Sequence, residues 1–229
     1  MTTTEAPADP ADMYAVHDVF RREIALEPGL VRAVAAGDVT RAETIARHIE
    51  LVHGMLHHHH GTEDKHVWPK LHERGTDDVD RIVDVMESQH QQVDRLNTDI
   101  NGALTAWRDS ADPELGASLA DTLTELSRVL REHLTLEEVE VLPLITKYLT
   151  AREWNEAVSD AASTTDPTDL ALMFGLVIYE GDPAVVDEIV GNMPEDVRPV
   201  IRDIASAAFA EHSQRIHGTT TPKRSTELD

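Results

Sequence analysis

The chain has 229 residues, enough for one sizeable core or a core with a smaller appendage, and it carries 43 Asp and Glu against 20 Lys and Arg, a formal net charge of -23. That charge repels phosphate backbones and anionic lipid surfaces, so nucleic acid and membrane are poor partners. With no cysteine, disulfides, thiolate-held iron–sulfur clusters and Cys-type zinc sites are excluded, and any metal must be held by His and carboxylate.

Residues 1–10, rich in Thr, Ala and Pro, read as a disordered leader. They lack a basic n-region and an apolar h-region, no apolar run is long enough for a bilayer, and a cytoplasmic protein is expected. A first helix is predicted over residues 11–25, with Met13, Val16, Phe20 and Ile24 at helical spacing, His17 on the same stripe, and Glu27-Pro28-Gly29 as its stop. A short helical piece at 30–36 precedes a second long helix, opened by a Thr40/Glu43 capping box and running to about residue 74 with Pro69 as an internal kink. The third spans 77–107, with Val79, Ile82, Val83, Met86, His90 and Val93 on one stripe. Asp112-Pro113 caps the fourth, which reaches about residue 149 and holds Leu119, Leu123, Leu126, Leu130, His133 and Glu137.

Short connections between such helices predict an all-α, up-down-up-down four-helix bundle over residues 11–150. Residues 151–218 read as an extension of three or four short helices, started by Thr150/Glu153, Asp166-Pro167, Asp182-Pro183 and Pro194. Its stretch 170–179 is so continuously apolar that one helix should be buried on most sides, while Glu211, His212 and His217 read as a solvated face. Residues 219–229 complete the chain as a disordered tail, and no β pattern stands out.

One pattern is written twice. His59, Glu63 and Pro69 form H-x3-E-x5-P, and His133, Glu137 and Pro143 repeat it; His17 lies 42 positions before His59 and His90 lies 43 before His133. Residues four apart share a helix face, so each His/Glu pair aims an imidazole and a carboxylate at one point. Two such helices, with one His from each of two more, make a six-ligand nest of the kind by which bundles build two-metal sites. A lone His on an apolar stripe is usually a satisfied core residue, but four at matching offsets are not chance.

The run His57–His60 cannot serve one site together, because successive helical residues point about 100° apart. Aligning the halves pairs His59 with His133, whereas His60 meets Leu134, so His59/Glu63 is preferred over the rival pair His60/Asp64. His53, His57, His58, His66 and His72 read as outer or solvent-facing groups. Imidazole and carboxylate with open positions suit iron, with manganese as the alternative, better than four-coordinate zinc.

These residues resemble the hemerythrin-like, HHE cation-binding proteins: His17, the stretch from His59 to Pro69, His90, and His133-Leu-Thr-Leu-Glu137-Glu138 closing on Leu142-Pro143. The resemblance covers residues 11–150. It implies a non-haem di-iron centre, oxo- or hydroxo-bridged, with His17, His59, His90 and His133 as terminal ligands and Glu63 and Glu137 bridging.

Oxygen-carrying members have a second His on the third helix, four positions from the first, where this chain has Met86 and Asp94, and an Asp five beyond the fourth-helix His, where it has Glu138 after Glu137. Their unequal share of His between the two irons is therefore not expected here, which points away from reversible oxygen carriage. Tyr14, Glu87 and Glu138 are candidates for a further ligand. The expected partners are O2, NO or peroxide, bound, sensed or scavenged. The alternatives are an oxidase or oxygenase with an organic substrate, for which a tunnel lined by Leu172, Phe174 and Tyr179 would speak, or an iron-storage or iron-responsive module.

Overall fold

The computed structural model describes residues 5–163 and 167–228, and in it the apolar stripes fold into four long helices followed by shorter ones. The first, α1 (Ala11–Arg32), does not stop at Glu27-Pro28-Gly29 as the sequence suggests. Pro28 forfeits one backbone hydrogen bond, but continuing the helix buries Val31 in the core, which offsets the loss. The second, α2 (Val39–His66), is capped by Asp38, whose side chain accepts from the Arg41 amide at 3.0 Å, rather than by Thr40.

Pro69 follows a break in the helix, whereas Pro143 follows a π turn inside an unbroken helical run. The chain turns at Val67 and restarts as α3 (Trp68–Arg74) with Pro69 in its first turn. It then forms α4 (Asp77–Arg108) and α5 (Pro113–Leu136), where Asp112 accepts from the Glu114 and Leu115 amides as its capping role requires. After a π turn over Glu137–Val141, α6 (Leu142–Tyr148) starts with Pro143 in its first turn. A proline lacks the N–H that would continue the ladder, so each half of the repeat leaves regular α-helix geometry at or just beyond its Glu.

Helix α1 packs on α2 and α5, and α4 packs on the same two, closing a ring of four. The buried apolar residues fall into two clusters. One contains Phe20, Ile24, Ile49, Leu56, Val93, Leu104, Trp107, Leu123 and Leu130; the other contains Met13, Val67, Trp68, Leu71, Val83, Met86, Leu142 and Ile145. On α1, α2 and α4 the candidate site residues come between the two clusters in sequence, and on α5 His133 and Glu137 flank Leu134 at the edge of the first, so the polar nest lies where the apolar core is interrupted.

The later helices are α7 (Ala151–Ser163), α8 (Pro167–Glu180), α9 (Pro183–Asn192) and α10 (Arg198–His217). The Thr150/Glu153 box forms, with the Thr150 amide donating to Glu153 at 3.0 Å and the Glu153 amide to the Thr150 hydroxyl at 3.3 Å. Asp182 caps α9; Asp166 lies outside the described residues. Pro194 opens a turn rather than a helix, its carbonyl accepting from the Val197 and Arg198 amides, and α10 starts only at Arg198.

Helix α7 rests on α2, α9 on α1, and α8 on α10 and α1. Against expectation α8 is not buried on most sides: Gly175 and Leu176 are, but Leu170 is 38% exposed and Leu172, Met173 and Phe174 are half-buried.

The two ends differ from the expected disorder over their described residues. Residues 6–8 run antiparallel to 149–151, the Ala8 amide donating to the Leu149 carbonyl at 3.1 Å and the Ala151 amide to the Ala6 carbonyl at 2.8 Å, and Ala8 is buried. At the other end Ser225 donates its amide and hydroxyl to the Glu180 carboxylate at 3.0 and 2.8 Å, and the Tyr179 hydroxyl donates to the Pro222 carbonyl. Satisfied backbone groups and a hydrogen-bonded buried acid give the two segments a reason to dock. Among the described residues there is no strand, and no helix is long and apolar enough to cross a membrane.

Candidate metal centre

Helix α1 contributes His17, α2 His59, His60 and Glu63, α4 His90, and α5 with its π turn His133 and Glu137. All six residues expected from the duplication meet, and they divide into two groups that share an acid. His17, His59, Glu63 and Glu137 offer ligand atoms within 4.8 Å of one another, and so do His60, Glu63, His90 and His133. All are buried except His59, which is half-buried.

Glu63 spans the groups with one oxygen for each: Oε1 is 3.1 Å from His59 Nε2 and Oε2 is 3.3 Å from His90 Nε2. Glu137 Oε2 lies 3.5 Å from His17 Nε2 and 3.7 Å from His133 Nε2. The π turn that begins at Glu137 widens the backbone at this point, a common device where a helix must present a functional side chain.

Three imidazoles are fixed from behind. Nδ1 of His17 meets Glu138 at 2.9 Å, Nδ1 of His90 meets Asp64 at 2.8 Å and Nδ1 of His133 meets the Gln89 side-chain oxygen at 3.1 Å. Each such bond places a proton on Nδ1 and turns Nε2 toward the centre, which is how outer groups orient metal-binding histidines. Arg21 braces Glu138 at 2.7 Å and the Trp68 indole donates to Asp64 at 2.9 Å.

The duplication pointed away from His60, yet the structure brings this ring beside the second group. His60 stacks on His90 with ring centroids 4.0 Å apart and joins the second group, while Asp64, its expected partner, instead orients His90. Its counterpart Leu134 belongs to the core, so at this position the halves differ. The signal was available: His60 lies three residues before Glu63 and shares its face, and the two groups do not require one point of convergence. Glu138 faces His17 from behind, whereas Tyr14 and Glu87 are exposed and stand clear of the nest.

His57 and His58 are exposed as expected, His66 and His72 pair with Asp160 and Asp80, and His53 is buried against Glu27 at 2.9 Å. His212 and His217 are not a solvated face. His212 is buried and the His217 side chain is 8% exposed, both turned toward α2.

Charge follows from this crowding. Burial, then the positive neighbours, lowers His59 to about 4 and His133 to about 3, so these rings are neutral. Burial also opposes charge on His90, but Asp64 and Glu63 outweigh it and raise His90 to about 9. Burial and the adjacent Glu63 push Glu137 well above the usual carboxylate range. Two acids thus sit where one must take a proton unless a cation replaces it.

The buried atoms bear this out. Both oxygens of Glu63 and of Glu137, both ring nitrogens of His60, and Nε2 of His90 and His133 have no hydrogen-bond partner. Each unpartnered buried polar atom costs about 1–3 kcal/mol, so a nest of them fits a function outside the core's own stability. All are lone-pair donors suited to a cation once the Nε2 sites are free.

On the side of the first group lies an apolar cavity of about 600 Å³. His59 and Glu63 form part of its wall together with Phe20, Met55 and Val67, and α7, α8 and the turn before α10 close it with Trp154, Leu170, Met173, Phe174 and Val177. Of the residues anticipated for a tunnel, Phe174 is in the wall.

A helical ring with paired imidazole and carboxylate clusters inside defines a cation-binding helical protein. The hemerythrin HHE cation-binding domain model matches residues 9–145, and the chain belongs to that family. No curated protein and no solved structure matches it.

Proposed function

We propose that this protein holds two iron ions between α1, α2, α4 and α5, and there binds O2 or NO or removes peroxide. Residues 11–150 are read as an up-down-up-down bundle built around this pair, with 151–218 as an extension against it. One observation favours this reading above others: five imidazoles divide three to two, His60, His90 and His133 against His17 and His59, with Glu63 and Glu137 between. This restores, through α2 rather than α4, the unequal share of His on which oxygen carriage depends. Reduced iron supplies the electrons and open positions that O2, NO or peroxide needs, and manganese would fit the same donors.

The chain's own residues do the rest. Glu63 points one oxygen at each group and would lend one carboxylate to the ions of both. Glu138, Asp64 and Gln89 hold His17, His90 and His133 in the tautomer that offers Nε2. The group with fewer imidazoles is the one whose His59 faces the cavity, so an outside ligand would reach it first. Phe20, 5.3 Å from the His59 ring, with Met55 and Val67 keeps water away from that face.

The cavity favours a second reading, oxidation of an apolar organic substrate. About 600 Å³ exceeds what a diatomic needs and falls in the range of small-molecule pockets, roughly 300–1,000 Å³. Metal analysis with optical spectra of reduced protein, before and after O2, NO and peroxide, tests the first reading. Two irons per chain and a charge-transfer spectrum that O2 alone restores support it, as does evolution of O2 from peroxide; fewer than one metal per chain sinks both. A spectrum that turns over with O2 only when an apolar compound is present selects the second.

A further inference from the structure

A second cluster of donors lies outside this centre, where α10 meets the ring of long helices. Glu23 of α1 and His48 of α2 are buried, and His217 closes α10 with its side chain 8% exposed. Glu23 Oε2 is 3.3 Å from His48 Nε2 and 3.4 Å from His217 Nε2, and one donor atom from each residue lies within 4.8 Å of the others.

We propose that Glu23, His48 and His217 bind one zinc-class divalent cation that clamps α10 to α1 and α2. Four donors at tetrahedral corners about 2.0–2.1 Å from zinc stand about 3.3–3.4 Å apart, which matches the separations of Glu23 Oε2 from both imidazoles. An octahedral ion at a similar bond length would bring neighbouring donors to about 3 Å. Two imidazoles and one carboxylate, with the fourth corner for water, form an accepted zinc set.

The donors are also poised for a cation rather than for each other. Glu23 Oε2 and His48 Nε2 are buried and have no hydrogen-bond partner, although they lie close together. His48 Nδ1 meets His212 Nε2 at 3.0 Å, so a cation bound through Nε2 would require the shared proton on His48 Nδ1. Arg22 Nη2 donates to Glu23 Oε1, so the carboxylate offers only Oε2 to the cluster.

Arg41 shows that this end of α10 is a fastening point, since its guanidinium donates to the Arg215 and Ile216 carbonyls. A cation shared by three helices would fix the extension, and with it the outer wall of the cavity.

Full-length protein stripped with chelator is titrated with Zn2+ and, separately, with Co2+ under argon, alongside His217→Ala and Glu23→Gln. The wild type should bind one more zinc per chain than either variant, and its Co2+ form should show the intense visible bands of tetrahedral cobalt that both variants lose. Zinc should raise the melting temperature of the wild type by more than that of either variant. The same difference should persist in a His59→Ala background, which separates this cluster from the di-metal centre: iron lost with His59 and zinc lost with His217 are independent readouts. Equal zinc stoichiometry in wild type and both variants overturns the proposal, even if His217→Ala is less stable, because an ion pair alone would produce that result. Should His217→Ala fail to fold, Glu23→Gln, nearly identical in shape, decides by the same count.

Discussion

Replacing His60 by Leu should change the stability of the metal-free and iron-loaded protein in opposite directions. His60 is 3% exposed and neither ring nitrogen has a partner. Two unpartnered buried groups cost about 1–3 kcal/mol each, while losing the stack on His90 at 4.0 Å costs about 0.5–1.5 kcal/mol. Leucine is close in volume and apolar, and the equivalent position in the other half already holds Leu134 in the core. The metal-free variant should therefore gain about 2 kcal/mol. With iron present the sign changes, because an ion at a hundred times its dissociation constant adds about 2.7 kcal/mol to the native state, and the variant loses that from the group built on His60, His90 and His133. Urea denaturation followed by far-UV circular dichroism, with chelator and with ferrous iron under argon, reads both effects, and iron analysis should fall from two per chain toward one. A variant that is less stable without metal yet keeps two irons would refute the reasoning.

Three further outcomes follow from the same geometry. His59→Ala and Glu137→Ala should each remove most bound iron while His58→Ala, exposed and outside both groups, leaves it in place; equal losses in all three, by metal analysis, would undo the assignment. Asp12 is raised to about 6 chiefly by burial, although the Trp154 indole donates to it at 3.2 Å. Its folded pKa exceeds the unfolded value of 3.8, so the native state binds the proton more tightly and stability falls as pH rises from about 4 through 6. Asp12→Asn should gain about 1–2 kcal/mol at pH 7, after allowing for solvent screening of a half-buried group, and little at pH 3.5; equal urea shifts at both pH values would contradict this. Gly175→Ala should cost about 1–3 kcal/mol by overpacking, because a Cβ would collide with the Ala205 carbonyl and stand 2.9 Å from Phe209 Cβ. Limited proteolysis should then cut α8 or α10 faster while iron content holds, and unchanged proteolysis would show that the two helices are not packed through this glycine.

The sequence by itself determined the helical stripes, the capped start of α5 and the six residues repeated between the halves, because each depends on spacing along one helix. Position four to position zero puts His59 beside Glu63 and His133 beside Glu137 whatever lies around them. It likewise announced the two prolines, though not the break at Val67 before one or the π turn before the other.

What only the tertiary structure decided depends on which helices meet and at what level. His60 meets His90 and His133 because these approach α2 from the other side, a fact no internal repeat can encode when Leu134 occupies the matching place. Glu23, His48 and His217 are separated by 25 and 169 residues, too far for periodicity to connect, and they meet only because α10 folds back along α1 and α2. The order of the two ends was hidden for the same reason: polar, proline-rich segments look loose alone, and dock here because Leu149 and Glu180 present the hydrogen-bonding groups they lack.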